Sequence, residues 1–504
     1  MTFLTCAVVC GLLASSALAW SPRTIGGARV IARMSLLVGA IVLAVSARDA
    51  VSGHGAVVDL GGVALLRFDL VGWSVCAIII ALGVVVQSYA HRLLDGAPTA
   101  RAFHAGSSVV LAGAFTAASA ARFSVLASGW ILTSFGTMLL MATTSGTRVR
   151  TSTRRAARAL VAGDVAVLVG ALALVLHGVD GFSHVAPAHT WTALSIGQLH
   201  VSGPALVTTL FVLAALSRAG QVPFGPWVSA TVNAPTPVSA LLHAGVVNAG
   251  AVLLLRVTPW CTTWSVPMLL LLACVSVSIV LAVQVTARRG DIKGALAYST
   301  VAQMGFMLLM ISIGLPAVAL THLLGHALYK AHRFLASGDT TDVVARQRVI
   351  RSTTLVAPAT AWGVAVLVGV LTSGGAILLA REWSLSATWS TFALLVVVAS
   401  AVGVIRLASK SSPESWRTST GALVVVVTGY LAASAWFDHV LATRLLTPHA
   451  NALWAVVVVG VVLLAASLSP TRIDSWTMPR GPMIRRRDAR RPHVRLSAAV
   501  VGAH

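Results

Sequence analysis

Residues 201–255 read VSGPALVTTLFVLAALSRAGQVPFGPWVSATVNAPTPVSALLHAGVVNAGAVLLL, and this stretch decides the fold. It contains two apolar runs, near 201–217 and 235–255, and each approaches the roughly 20 residues that a helix needs to cross the hydrocarbon core of a bilayer. A segment rich in proline and glycine separates them. The pattern predicts two membrane-spanning helices with irregular backbone between them.

The irregular segment begins directly after Arg218, at the end of the first run. Pro223 and Pro226 each lack a backbone donor and clash with the preceding turn, so the helix is predicted to break near 218–227. Pro235 and Pro237 fit the first turn of the next helix, where a missing N–H costs little. Non-helical backbone at membrane depth is stable only where it is buried or lines a cavity, and broken helices recur at ion sites of transporters.

The composition of the whole chain agrees with a membrane protein. The 504 residues are 57% hydrophobic and only 10% charged, whereas a soluble domain carries about 25% charged residues. The formal net charge of +22 lies in short clusters between apolar runs and in the last thirty residues. That distribution is typical of membrane topology, so we expect a lipid bilayer as the solvent and no nucleic acid as a partner.

The apolar runs predict an all-α polytopic protein with about 14–15 transmembrane helices. Residues 1–470 are expected to form the transmembrane domain, with a core motif region near 159–382, and 471–504 a basic cytoplasmic tail. The first run lacks a basic n-region and an A-x-A cleavage site, which favours a span over a signal peptide. Fifteen runs qualify: near 2–20, 30–47, 70–90, 102–121, 123–146, 159–178, 201–217, 235–255, 264–287, 294–313, 316–337, 354–380, 386–405, 420–437 and 450–469.

Lysine and arginine concentrate in alternate loops, as the positive-inside rule describes. With the N-terminus outside and the C-terminus in the cytoplasm, the outer side carries only six arginines: Arg48, Arg67, Arg122, Arg256, Arg381 and Arg444. A missed or invented helix would reverse every later loop, so the pattern supports both the count and the orientation. The predicted location is the cell membrane.

Ionisable side chains inside apolar runs are costly and indicate functional sites. His322, His326 and Lys330 recur every four residues of the eleventh run and therefore stack on one helix face. Lipid exposure would destabilise them, so we expect this row to face the interior and to pass protons between neighbours. The alternative is that Lys330 extends to the inner interface beside Arg333 and Asp339.

Four further positions are candidates for the ion pathway. Asp164 lies within the sixth run, Arg218 ends the seventh, and His243 lies inside the eighth, where it is either a relay or a packing residue. Lys293 occurs in GDIKGALAYST, before the tenth run. The first three place a charge or an imidazole within or at the end of a predicted span, and Lys293 lies directly before one.

A second break is predicted near 374–382, where Gly374 and Gly375 precede Arg381 and Glu382. These two charged residues are candidates for the pathway, although they are equally consistent with an ion pair at the membrane interface. No metal site or cofactor is predicted, because the five cysteines show no CxxC and no Cys/His ligand spacing.

The motifs GQVPFGPW, NAPTPVSALLHAG, GDIKGALAYSTVAQMGFMLL and GHALYKAHRFLASG resemble the antiporter-like subunits of respiratory complex I and of multisubunit sodium/proton antiporters. Within that superfamily, HAGVVNAG and the Lys-Ala-His triplet after Tyr329 resemble DabB, the membrane subunit of the energy-coupled inorganic carbon pump. The resemblance implies an antiporter-like fold, conduction of protons or sodium ions, and a DabA-like zinc-containing partner that forms a hetero-oligomer with this chain.

The same resemblance implies positions for the site residues. It places Arg218 at the family's broken-helix lysine, His243 at the eighth-helix histidine, and Asp164 at the sixth-helix aspartate. The row of His322, His326 and Lys330 corresponds to the central polar row, and Arg381 or Glu382 lies near the charged residue of the second broken helix. Two departures matter: the fifth run contains no glutamate, and a permanently charged arginine replaces the lysine.

The main hypothesis is a transporter subunit without catalytic residues of its own, in which ion movement drives uptake of bicarbonate or CO2. The alternative within transport is a proton-translocating subunit of a complex I-like dehydrogenase or of a Na+/H+ antiporter. A polytopic membrane enzyme lacks support, because the chain contains no HExxH and no paired carboxylates. If the chain is only a structural scaffold, alanine substitutions along the row are expected to leave transport unchanged.

Overall fold

The computed structural model describes residues 1–142, 147–182, 192–257 and 266–337, together with 359–383 and 413–442 and a few positions between 385 and 404. Within 192–257 it leaves out 197–198, 226 and 229–230. The chain divides into two units, Met1–Pro470 and Thr471–His504. The run at 450–469 and the basic tail at 471–504 lie outside the described residues, so the last span and the tail stay predictions.

The described part is dominated by helices. They are α1 (Thr2–Leu18), α2 (Ile25–Ser52), α3 (Leu70–Leu93), α4 (Ala100–Ser119), α5 (Phe123–Ala142), α6 (Thr147–Leu176), α7 (Gly203–Arg218), α8 (Thr236–Ala244), α9 (Ala249–Val257), α10 (Val266–Arg288), α11 (Ile292–Ser312), α12 (Pro316–Ala336), α13 (Ala359–Glu382) and α14 (Pro413–Ala442).

Among the described residues, nine helical segments are long and apolar enough to cross a membrane, and α1 and α7 are shorter apolar helices. Helix α2 shows why these elements suit lipid. Val30, Met34, Leu37, Ile41 and Val45 recur every three or four residues along it and are all exposed. A stripe of exposed apolar side chains is stable against acyl chains and unstable against water, so the chain is a multi-pass membrane protein.

Small residues allow the helices to approach closely. At Gly113 of α4, an added Cβ would lie 2.6 Å from the backbone nitrogen of Thr133 in α5, and at Gly129 it would lie 2.5 Å from that of Ala117. Such contacts between helix backbones are a main source of packing energy in membranes, where no hydrophobic force drives helices together. The pair α4–α5 is therefore held by close packing of small residues.

Two short hairpins, which the apolar runs do not indicate, connect the helices. Strands β1 (Ala56–Leu60) and β2 (Val63–Phe68) pair antiparallel before α3. Their turn uses Gly61 and Gly62 at φ +60° and +79°, as a two-residue hairpin turn with both central φ angles positive requires. Strands β3 (Thr192–Ile196) and β4 (Leu199–Ser202) pair antiparallel before α7.

A buried arginine joins the ends of three helices. Arg256, in the last turn of α9, binds the carboxylate of Asp69, and Asp69 accepts a hydrogen bond from the Gly72 amide at the start of α3. The Arg256 guanidinium also donates to the carbonyl of Ala118 near the end of α4. This clamp fixes α3, α4 and α9 at one end of the bundle.

The predicted break near 218–227 is confirmed. Helix α7 ends at Arg218, and residues 219–225 are non-helical before a short 3-10 turn at Thr231–Asn233. The predicted break near 374–382 is wrong, because α13 is continuous from Ala359 to Glu382. Glycine weakens a helix by about 1 kcal/mol but keeps its N–H donor, so two glycines without a proline do not break it.

The eighth run contains an interruption that the sequence did not predict. Helix α8 ends at Ala244, and a 3-10 turn at Val246–Asn248 separates it from α9. The side-chain amide of Asn248 donates to the carbonyl of Ala244 at 2.7 Å, so a side chain satisfies a backbone acceptor where the regular helix stops.

Candidate ion pathway

The polar row of α12 faces the interior of the bundle. His326 is 4% exposed and Lys330 is 1% exposed, while Leu328 and Tyr329 between them are more than half exposed. The structure therefore confirms the predicted burial of His326 and Lys330, and His322 is half-buried. It also rules out the alternative in which Lys330 extends to the interface, because its side chain is enclosed.

Two groups of α11 hold the ammonium of Lys330. The Nζ atom donates to the carbonyl of Leu296 at 3.1 Å and to the hydroxyl of Ser299 at 2.5 Å. Neither partner is a carboxylate, and among the described residues no acidic side chain forms an ion pair with Lys330. Neutral partners stabilise a buried lysine in both its charged and its neutral form, which suits a group that gains and loses a proton.

The two histidines continue the row away from Lys330. Their ring centroids lie 6.3 Å apart with planes inclined by 20°, and His322 also contacts the rings of Phe306 and Tyr430. Both ring nitrogens of His326 and the Nε2 atom of His322 are buried without a protein hydrogen-bond partner among the described residues. Buried polar atoms of this kind normally bind ordered water.

The broken helix ends at a buried ion pair. Arg218, 1% exposed, donates from Nη2 to Asp164 at 3.2 Å and to the Ser134 hydroxyl at 2.6 Å. Ser134 in turn donates to Asp164 at 2.6 Å. The guanidinium carbon lies 4.3 Å from the ring centroid of Trp130, a cation–π distance. The contact between Arg218 and Asp164, which the sequence left open, is thus present.

Side chains satisfy the backbone that the break exposes. Gln221 donates to the carbonyls of Ala219 and Val301 at 2.9 and 3.0 Å, and the amide of Val222 donates to the Ser278 hydroxyl at 2.8 Å. The segment is therefore tied to α10 and α11, and the carbonyl oxygen of the Gln221 side chain has no partner among the described residues.

His243 connects the broken segment with the α12 helix. Its Nε2 atom lies 2.9 Å from the Thr231 hydroxyl, and its ring stacks on Phe334 of α12 at 4.6 Å. The Nδ1 atom is buried without a partner in the part of the chain that the structure describes. His243 therefore packs against α12, as a packing residue does, and also keeps one free ring nitrogen, as a relay requires.

A cavity of about 60 Å³ extends from Arg218 to Asn248. Its walls are mainly apolar side chains of α3, α4, α5 and α9, and both the Nη1 atom of Arg218 and the Oδ1 atom of Asn248 are buried without partners among the described residues. One water needs about 10–15 Å³ of such volume and two to four polar partners. The cavity has the volume for a few water molecules, and two of its lining residues carry unpartnered polar atoms.

The remaining predicted residues lie apart from these groups. Lys293, at the start of α11, is half-buried and donates to the carbonyl of Ala234 at 3.2 Å. Arg381 and Glu382 are exposed at the end of α13, and the structure does not bring them to the polar row. The continuous helix explains this, since no break turns them inward.

Sequence reasoning missed the hydroxyl groups of the site, which are Ser134, Thr231 and Ser299. Serine and threonine are common in membrane helices and usually bond to the carbonyl four residues earlier, so their presence carries no signal. Gln221 was detectable, because a lone amide side chain between a charge and two prolines is a polar group at the break.

Comparison with known proteins places the chain among membrane transporters. A family model described as NADH:quinone oxidoreductase/Mrp antiporter, TM matches residues 122–406. A probable inorganic carbon transporter subunit, DabB2 of Halothiobacillus neapolitanus, is 36% identical over 273 residues, which are 53% of this chain and 48% of the relative. A probable K(+)/H(+) antiporter protein of Rhizobium meliloti is 32% identical over 293 residues, 56% of this chain and 28% of that protein.

The chain thus spans about half the length of the carbon-transporter relatives it matches. In a structure of the Mrp complex from Dietzia sp. DQ12-45-1b, one chain is similar with a TM-score of 0.55 and 24% identity, covering 92% of this chain and 49% of that one. An archaeal membrane-bound sulfane sulfur reductase has a TM-score of 0.57 at 15% identity, with 92% and 93% covered. These two likenesses concern the fold alone.

Proposed function

The chain belongs to the NADH:quinone oxidoreductase/Mrp antiporter family of transmembrane proteins, and from this we propose that it is the ion-conducting membrane component of an energy-coupled inorganic carbon pump. Relatives named as probable inorganic carbon transporter subunits support the proposal. Protons or sodium ions move down their gradient through this chain, and a DabA-like zinc-containing partner takes up bicarbonate or CO2. The chain itself performs no catalysis.

The observation that carries the proposal is the buried row on α12. Imidazoles exchange protons near neutral pH, and Lys330 lies one helical turn beyond His326, held by two uncharged groups. The free ring nitrogens of His322 and His326 are the atoms through which a proton would enter and leave each imidazole. The row therefore offers successive proton-exchanging groups along one helix face.

The pair at the broken helix has a different role in this proposal. A guanidinium does not release its proton at physiological pH, so Arg218 supplies a fixed charge and only Asp164 exchanges a proton. Ser134 bridges the two groups and replaces the missing glutamate of α5 as a ligand to Arg218. The pair sets the local electric field, and proton transfer proceeds through Asp164, the two histidines and Lys330.

Growth under carbon limitation tests this function. In a host that depends on the pump, with its partner co-expressed, Lys330→Ala is expected to abolish growth because the row loses its terminal amine. Leu328→Ala, on the exposed face of the same helix, is the matched control and is expected to grow normally. Full rescue by a membrane-inserted Lys330→Ala variant would contradict the proposal.

A second candidate function is membership of a cation/proton antiporter or of a respiratory dehydrogenase, in which case the chain has no redox site of its own. The similarity to the K(+)/H(+) antiporter protein and to NADH-ubiquinone oxidoreductase chain 5 favours it. Neighbouring genes and the chains that co-purify from the native host separate the two: a DabA-like chain supports the pump, and a set of antiporter or dehydrogenase subunits supports the alternative.

A further inference from the structure

A groove between α3 and α12 lies outside the ion pathway. It has a volume of about 390 Å³ and is lined by apolar side chains of both helices, among them Val85 and Tyr89 of α3 and Leu328 and Leu335 of α12. The Tyr89 hydroxyl donates to the carbonyl of Leu335 at 3.2 Å, which joins the two helices at one end of the groove.

The groove opens toward the lipid. Val85 is 50% exposed and Leu328 is 55% exposed. Helix α3 is long and apolar enough to cross a membrane, and the eleventh apolar run predicts a span for α12 as well. Ala331 lies in the groove wall, whereas its neighbour Lys330 points into the bundle. The groove thus lies on the side of α12 that faces away from the bundle interior. Substitutions in the groove therefore leave the polar row in place.

The end of the groove near the helix C-termini is positively charged. Arg92 follows Tyr89 by three residues and so lies above it on the same side of α3. His332 lines the groove on α12. Both basic residues are exposed, and no carboxylate of the described residues forms an ion pair with Arg92.

We propose that this groove binds an anionic phospholipid, with an acyl chain along the apolar wall and the phosphate headgroup against Arg92 and His332. The groove wall is apolar, as contact with an acyl chain requires. Basic clusters at a membrane surface select anionic over zwitterionic lipids, and the predicted inner side of these helices is the leaflet that carries anionic lipids. Neither feature depends on which ion the protein conducts.

Binding of two lipids with identical acyl chains tests the proposal. The full-length protein in detergent is titrated with phosphatidylglycerol or phosphatidylcholine, and bound lipid is counted by native mass spectrometry. Val85→Trp fills the groove, and Val84→Trp, equally exposed on the same helix but outside the groove, is its control. Arg92→Gln removes the headgroup charge, and Arg155→Gln, exposed on α6, is its control.

The wild type is expected to bind phosphatidylglycerol about fivefold more tightly than phosphatidylcholine, because one arginine, Arg92, contacts the headgroup. Val85→Trp should bind neither lipid in the groove. Arg92→Gln should lower the ratio of the phosphatidylglycerol affinity to the phosphatidylcholine affinity about fivefold, and both controls should match the wild type. Equal affinity for the two lipids, or lipid binding by Val85→Trp equal to that of Val84→Trp, would overturn the proposal. If Val85→Trp fails to fold, the lipid preferences of Arg92→Gln and Arg155→Gln are compared instead, and equal preferences would overturn the proposal.

Discussion

Arg218 brings a permanent positive charge into the membrane interior, and its neighbours determine what that charge does. Asp164 neutralises it and Ser134 bridges the pair, so the group is held in one geometry. Removal of one partner of a buried pair is costly because it leaves the other charge uncompensated. Substitutions of Arg218 and Asp164 are therefore expected to change the free energy of unfolding in a strongly non-additive way.

Asp164→Asn is predicted to destabilise the protein by roughly 3 kcal/mol, since it leaves the Arg218 charge unpaired. The double variant Arg218→Gln/Asp164→Asn should be more stable than Asp164→Asn alone. Thermal unfolding in detergent measures both. Asp95→Asn is the control, because its partner Arg29 forms an ion pair in which the Asp95 side chain is 67% exposed, and such pairs contribute under about 1 kcal/mol. A double variant no more stable than Asp164→Asn alone would refute the coupling.

The sequence indicated the ionisable residues of the candidate site, and it did not indicate the hydroxyl residues that contact them. His322, His326 and Lys330 were detectable because ionisable groups are rare in apolar runs, and their spacing placed them on one face. Ser299 and Thr231 were not detectable, because the hydroxyl contacts depend on how α11 and the broken segment pack against other helices. Those contacts arise from tertiary packing and leave no periodic signal.

At the scale of elements, proline and glycine differ in what they do to a membrane helix. The break after α7 contains two prolines and Gly220 at φ +63°, where an added Cβ would collide with the Val228 side chain. Helix α13 contains Gly374 with open space around its Cα and remains helical. Composition therefore located the first break correctly and placed the second one wrongly.

Gly220→Ala is predicted to lower stability by at least about 2 kcal/mol, because the left-handed conformation disfavours a side chain and the site is already filled. Gly374→Ala, the matched control, is expected to be neutral or stabilising by up to about 1 kcal/mol. Melting temperatures of the two purified variants check this. A Gly220→Ala variant as stable as Gly374→Ala would show that the break is not constrained as described.

At the scale of the whole molecule, the sequence predicted a polytopic helical protein, and the structure and the family agree with it. Hydropathy succeeds here because only helices and closed barrels satisfy their backbone in lipid. It could not predict the hairpins at 56–68 and 192–202, which are short and lie between spans, nor the interruption at Gly245, where a small residue gives no proline signal. The orientation of the termini and the fifteenth span remain predictions.

If ions cross the membrane along the α12 row, flux measured in proteoliposomes depends on Lys330. The full complex is reconstituted, a pH gradient is imposed, and proton entry is followed with an entrapped dye in the presence of inorganic carbon. We expect flux in the wild type and in Leu328→Ala, and its loss in Lys330→Ala. Undiminished, carbon-dependent proton flux through Lys330→Ala would show that ions do not cross along the α12 row.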